Sequence, residues 1–130
     1  VTNEKRLDMM IGEVSEKSGL SIDTLRFYEK ISLIDPPIRN DAGRRIYGPD
    51  VLGWIGFLEQ LNATGMKQAD RIRYAALRQQ GETTVREWRE MLEAHRAVIA
   101  AKLVEMKDAM ALMDRKVAAY HEMEKQTKGR

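Results

Sequence analysis

The sequence contains no cysteine. That excludes disulfides, thiolate metal sites, cysteine nucleophiles and thiol redox switches. It has no run of roughly eighteen apolar residues, so no stretch can cross a bilayer as a helix. Val1-Thr2-Asn3-Glu4-Lys5-Arg6 is not followed by an apolar core, which predicts that there is no secretory signal. Aromatic residues make up only 6% of the 130 residues, against 32% charged and 43% hydrophobic. That balance favours helices over a β-sandwich. The only two histidines, His95 and His121, stand 26 positions apart on what reads as one helix. Within one chain they would be about 39 Å apart, too far to cooperate. No Ser/His/Asp set, metal-ligand cluster or phosphate-cradling glycine loop is visible. The expectation is a cytoplasmic, non-enzymatic protein without cofactor or metal.

Strong charge of one sign is also missing. The formal net charge is +2, from 22 Lys+Arg against 20 Asp+Glu. Residues 1–80 hold 12 basic against 11 acidic side chains, and residues 81–130 hold 10 against 9. A chain that coats nucleic acid indiscriminately would carry far more. Any nucleic-acid surface is therefore local. The densest basic spot is Arg39, Arg44 and Arg45, opposed only by Asp41, with Arg26, Lys30 and Lys67 as further candidates.

The apolar periodicity predicts two short helices. Ile11 and Val14 mark the first, over 11–17, which Ser18-Gly19 stops. Ser21 caps the second, from Ile22 to about Ile31, with Asp23 near its positive end. Ile22, Leu25, Tyr28 and Ile31 form its inner stripe, and Asp23, Arg26 and Lys30 its outer face. Two helices joined by Ser18-Gly19-Leu20 have the spacing of a helix-turn-helix. Pro36-Pro37 then forbids helix. Ile38-Arg39 and Arg45-Ile46-Tyr47 bracket Asn40-Asp41-Ala42-Gly43 as a short hairpin, a wing with Arg45 and Tyr47 on one face. Gly48-Pro49-Asp50 starts a third helix with Val51, Trp54, Ile55, Leu58 and Leu61 inward. Gly53 and Gly56 inside it predict close approach of another helix. A fourth helix covers 67–80, with Ala69, Ile72 and Ala76 inward.

Thr84-Val85-Arg86-Glu87 reads as a capping box, and no glycine or proline follows until Gly129. Ile99, Leu103, Met106, Met110, Met113, Val117 and Tyr120 are spaced 4-3-4-3-4-3, a heptad seam. Trp88, Leu92, His95 and Ile99 extend it backwards through one stutter. One narrow seam on so long a helix predicts a partner chain, and a second copy of this chain is the expected one. The methionines read as soft seam packing, with a sensor role as the alternative. Trp88 is expected to pack the start of the long helix against a DNA-binding domain. In an antiparallel pair centred near residue 108, His95 of one chain would face His121 of the other. The two are nonetheless expected to be surface histidines, the alternative being a metal- or pH-responsive pair formed across the dimer.

A helix-turn-helix places its second helix in the major groove. Arg26 and Lys30 would reach base edges or phosphates there. Ser21 and Thr24 near the helix start would donate to phosphate. Arg45 and Tyr47 would meet a flanking backbone. A coiled-coil protein-interaction module and an architectural DNA-binding protein are the alternatives.

Ile11-Gly12-Glu13-Val14, Gly19, Thr24-Leu25-Arg26-Phe27-Tyr28-Glu29, Leu33, Pro37, Arg39, Gly43, Arg45, Tyr47 and Asp50-Val51, in register over about seventy residues, resemble the N-terminal domain of MerR-family transcriptional regulators. The helix pair and long helix beyond resemble the family too. The resemblance implies a winged-helix homodimer joined by an antiparallel coiled coil. It implies binding to a pseudo-palindrome in double-stranded promoter DNA with an overlong spacer, and bending and untwisting of that DNA so that RNA polymerase engages both promoter elements. This is indirect readout. By position, Arg26 and Tyr28 match the family's recognition-helix contacts, Arg45 and Tyr47 its wing contacts, and Lys67 its outer-backbone contact. Three features depart from the pattern. Phe27 stands where a second tyrosine is usual. Ser32 replaces a glycine, which implies strain of roughly 1 kcal/mol if its backbone is left-handed. The thiol of the family's metal, aldehyde and redox sensors is missing, and the sequence stops after the coil, where other members carry a drug-binding domain. The build looks closest to the short aldehyde- or redox-responsive members, minus their thiol.

The expected organisation is mainly α: a disordered N-terminus over 1–8, a winged helix-turn-helix domain with helix pair over 9–81, a coiled-coil dimerisation helix over 84–125, and a disordered tail over 126–130. The expected DNA-binding residues are Ser21, Thr24, Arg26, Tyr28, Lys30, Arg39, Arg44, Arg45, Tyr47 and Lys67. The expected dimerisation residues are Leu92, Ile99, Leu103, Met106, Met110, Met113, Val117 and Tyr120. No membrane contact is expected.

Overall fold

The computed structural model describes residues 8–129. Apart from Asp8, the expected disordered N-terminus lies outside the described residues. The elements run α1 (Ile11–Ser18), α2 (Ile22–Lys30), β1 (Ile38–Arg39), β2 (Arg45–Ile46), α3 (Val51–Ala63), α4 (Gln68–Gln79), a single 3-10 turn (Glu82–Thr84) and α5 (Val85–Lys128). The molecule is mainly helical with a two-stranded antiparallel wing, as expected. Helix α5 continues through residues 126–128, which the sequence reading assigned to the tail. Packing divides the chain between Met91 and Leu92.

Local chemistry explains the boundaries. Gly19 closes α1 in a left-handed conformation, φ 79°, its N–H bonding the Ser15 carbonyl at 3.0 Å. Ser21 caps α2: its Oγ accepts from the Thr24 amide at 3.1 Å. Helix α2 ends in a Schellman motif. The Leu33 amide reaches the Tyr28 carbonyl at 2.8 Å and the Ser32 amide reaches Glu29 at 3.1 Å. The left-handed residue of that motif is Ser32, φ 65°, the one non-glycine residue with positive φ among those described. The strain anticipated there is therefore present.

The wing pairs Ile38 with Ile46 and Arg39 with Arg45. Its turn is closed by Asn40, whose Oδ1 accepts from the amides of Ala42 and Arg44, both at 3.0 Å. Gly43 supplies the left-handed corner at φ 77°. Beyond β2, Tyr47 pairs with Met9 in an antiparallel bridge, amide to carbonyl in both directions at 2.9 and 2.7 Å. Val14, Leu25, Leu33, Ile34, Ile55 and Leu58 are essentially inaccessible, and with Met9 and Tyr47 they make one core joining α1, α2, α3 and the wing root. Each such side chain contributes about 1.5–3 kcal/mol by burial.

Three expectations are corrected. Helix α4 turns Ile72 against the core but not Ala69 and Ala76. Ala69 and Ala76 are exposed, Ile72 is half-buried, and the buried residues are Arg71, Tyr74 and Ala75. The cause is Trp54: Tyr74 stacks on it at 5.9 Å, and the Arg78 guanidinium lies over its ring at 4.2 Å. Gly53 and Gly56 have nothing within 4 Å of where a Cβ would stand, so no helix approaches them closely among the described residues. The capping box is absent too. The Thr84 hydroxyl donates to the carbonyls of Leu77 and Gly81 instead of accepting at the start of α5.

Candidate nucleic-acid interface

The outer face of α2 and the wing lie in the same packed unit. Arg26 and Lys30 are exposed on α2, and Arg39, Arg44 and Arg45 on the wing. Lys67 is exposed at the extended residue preceding α4. The six basic side chains nominated from sequence are therefore accessible. Arg39 Nη1 donates to the Gly43 carbonyl at 2.7 Å, stiffening the wing tip. Ser21 and Thr24 are tied to each other: besides the cap, Ser21 Oγ donates to Thr24 Oγ1 at 2.9 Å. Their hydroxyls form a local cap before any ligand arrives. Phe27 is exposed and lies 6.5 Å from the Tyr28 ring.

The two tyrosines sit differently from the arginines. The Tyr28 hydroxyl donates to Glu59 Oε1 on α3 at 2.7 Å. Burial, and then the Glu59 carboxylate, raise its pKa, while Arg71 opposes. Arg71 is 6% exposed, and among the described residues its Nε and Nη1 have no hydrogen-bond partner. Tyr47 is 3% exposed, and its hydroxyl donates to Glu29 Oε1. Its pKa is raised by burial and then by Glu29, with the charges of Arg45 and Arg26 opposing. Arg45 Nη1 stands 3.8 Å from Glu29 Oε2. Alternation did place Arg45 and Tyr47 on one face of β2: both side chains meet the same carboxylate.

Glu29 thus joins recognition helix to wing, yet sequence reasoning treated it only as a motif letter. Nothing in the sequence reading singled out Glu59 or Arg71. The available signal was Glu29's place one turn after Arg26, where a carboxylate beside two arginines invites a bridge.

On α5, Leu103, Met106, Met110, Met113, Val117 and Tyr120 are 53–68% exposed. Leu92 and Ile99 are half-buried. Trp88 is half-buried, with an indole nitrogen that is sealed from solvent and has no hydrogen-bond partner among the described residues. His121 is exposed, its Nδ1 3.8 Å from Glu124 Oε2, whereas His95 is buried. The pair is therefore not two surface histidines. Among the described residues no cluster of metal-ligating side chains occurs and no helix is long and apolar enough to cross a membrane.

Comparison with known proteins agrees with this geometry. A family model described as MerR family regulatory protein matches residues 11–47, which span α1, α2 and the wing. The HTH-type transcriptional regulator AdhR of Bacillus subtilis is 36% identical over 77 residues, covering 59% of this chain and 55% of AdhR. An uncharacterised HTH-type transcriptional regulator of Haemophilus influenzae is 32% identical over 108 residues, covering 83% of this chain and 80% of that protein. The crystal structure of HiNmlR, a MerR family regulator lacking the sensor domain and bound to promoter DNA, superposes with a TM-score of 0.78 at 30% identity, over 88% of this chain and 91% of that one. The chain spans little more than half the length of AdhR but most of the other two.

Proposed function

This chain belongs to the MerR family of transcriptional regulators, which are not enzymes, and from that premise we propose that it binds a pseudo-palindromic promoter site as a homodimer and distorts it. The observation that carries the reading is the joint presentation of Arg26 and Lys30 on α2 with Arg39, Arg44 and Arg45 on the wing, in one unit cross-braced through Glu29. HiNmlR, whose fold this chain shares, is bound to promoter DNA in its crystal structure. In the proposed complex α2 enters the major groove, the wing arginines follow the adjacent backbone, and Lys67 meets an outer phosphate. Two copies pair through the exposed α5 seam, burying Leu103, Met106, Met110, Met113, Val117 and Tyr120 against their equivalents. The dimer binds one double-stranded site with both heads, and the deformation of its centre acts on RNA polymerase indirectly. Tyr28 and Tyr47 serve in this scheme as struts rather than as free phosphate donors.

Anisotropy titrations test it, with the protein's own upstream promoter and a scrambled duplex at two salt concentrations. About eight phosphate contacts per dimer, four from each copy, give a log–log salt slope near −7, a loss of roughly ten-thousandfold in affinity from about 50 to 200 mM salt. Equal affinity for both duplexes makes the chain an architectural binder. No salt-dependent affinity leaves an interaction module built on α5.

A further inference from the structure

Glu29 presents two carboxylate oxygens, each already engaged. Oε1 accepts from the buried Tyr47 hydroxyl, and Oε2 stands 3.8 Å from Arg45 Nη1. The Glu29 side chain is 11% exposed, while that of Arg45 is 52% exposed. A third charged group, Arg26 on the same helix, acts electrostatically on the same spot. A backbone phosphodiester offers the same partner to an arginine: one negative charge shared by two oxygens.

The two halves of this arrangement differ in strength. The Tyr47 hydroxyl is buried and its backbone is fixed on both sides by Met9, so it anchors the carboxylate. The Arg45 contact is too long for a charge-assisted hydrogen bond, and so half-exposed a pair is held weakly. Arg45 is free to leave; Glu29 is not.

We infer that Glu29 is a specificity-determining residue, an internal stand-in for phosphate that aims Arg45 and penalises DNA engaged out of register. This rests on the DNA-binding function proposed above. At the matching site Arg45 passes from carboxylate to phosphate along the direction already set. On any other duplex the fixed negative charge repels a misplaced backbone.

The test is a Glu29→Gln variant of the full chain, titrated with promoter and scrambled duplexes. Glutamine keeps an acceptor for Tyr47 and removes the charge, so the fold persists, and thermal melting checks this. Affinity for the scrambled duplex rises about fivefold and its salt slope steepens by about one, as a released arginine gains a phosphate. Promoter affinity gains less, so discrimination falls. In an Arg45→Gln background the Glu29→Gln effect shrinks, because the carboxylate acts through that arginine. If both duplexes gain by the same factor, or the full effect survives without Arg45, the inference is wrong. If Glu29→Gln lowers the melting temperature, Tyr47→Phe supplies the second comparison. It removes the anchor and keeps the charge, and loss of discrimination there supports the inference while unchanged discrimination overturns it. A wild-type chain that binds neither duplex overturns the proposed function itself, and this inference with it.

Discussion

Replacing Ser32 by glycine should stabilise the protein, and the size of the gain follows from the backbone. Ser32 sits at the left-handed position of the Schellman motif that ends α2, with φ 65°. A side chain bearing Cβ pays about 1–2 kcal/mol there. Glycine also loosens the unfolded chain, which takes back about 0.4–1 kcal/mol. None of the described hydrogen bonds uses the Ser32 hydroxyl, and the two amide bonds of the motif, Leu33 to Tyr28 and Ser32 to Glu29, survive the change. The net gain is about 0.5–1 kcal/mol, or about 2–8 °C in melting temperature for a domain of this size. Thermal and urea unfolding at one fixed protein concentration measure it, and the urea slope should not change. Ser32→Ala is the control. It removes the same hydroxyl but leaves Cβ in place, so it should stay near wild type. A Ser32→Gly variant no more stable than wild type would refute the strain argument, as would an equal gain from alanine.

Four further outcomes follow from the geometry. Trp54→Phe deletes the indole N–H that donates to the Leu33 carbonyl at 2.7 Å; with that carbonyl left buried, chemical denaturation should report a loss of about 1–3 kcal/mol. Gly53→Ala and Gly56→Ala meet open space, so each should stabilise α3 by roughly 0.5–1 kcal/mol; a drop in melting temperature would mean that a partner chain packs there. Leu103→Glu with Val117→Glu places charges in the exposed α5 seam, and sedimentation should show a dimer for the wild-type chain, as the proposed pairing requires, and a monomer for the variant. Burial holds Tyr28, Tyr47 and Tyr74 above their ordinary value of 10.0. Their neutral forms therefore stabilise the fold below about pH 10, and that contribution is lost as pH climbs through the folded-state values; urea midpoints should be level from about pH 8 to about pH 10 and fall beyond, less steeply in Tyr47→Phe.

Much of the fold is written locally. Ser21 as a cap, Gly19 and Gly43 at left-handed corners and the stripe through Leu25 each act within a few residues, so α1, α2 and the wing were legible from spacing alone. Helix α4 was not, because its buried face contains Arg71 and is set by Trp54, an aromatic partner one helix away. The rule that charge faces solvent failed at a residue packed beside Tyr28 and Glu59. Thr84 misled for the opposite reason: a capping motif was present in sequence, but its hydroxyl found the Leu77 carbonyl across the turn. For the candidate interface, the positions of the basic residues were legible and the fate of the tyrosine hydroxyls was not. Glu29 and Glu59 lie 18 and 31 positions from the tyrosines they hold. Only the folded chain makes them neighbours.

Those long-range carboxylates change how the wing should be understood. Tyr47 is held at three points: its ring in the core, its backbone on Met9, its hydroxyl on Glu29. The root of the wing is therefore fixed to α2, while its tip is held by its own turn, through Asn40 and the Arg39 contact with Gly43. Arg45 stands in the outer of the two strand pairs, opposite Arg39, with a half-exposed side chain that reaches back toward Glu29. Arg39 is its cross-strand partner and Arg44 stands in the turn beside it, so the three wing arginines of the proposed interface lie together at the outer end of the hairpin. For the DNA-binding role proposed above, Glu29 therefore ties one arginine of that cluster, Arg45, to the helix that carries Arg26, and leaves Arg39 and Arg44 to be placed by the turn alone.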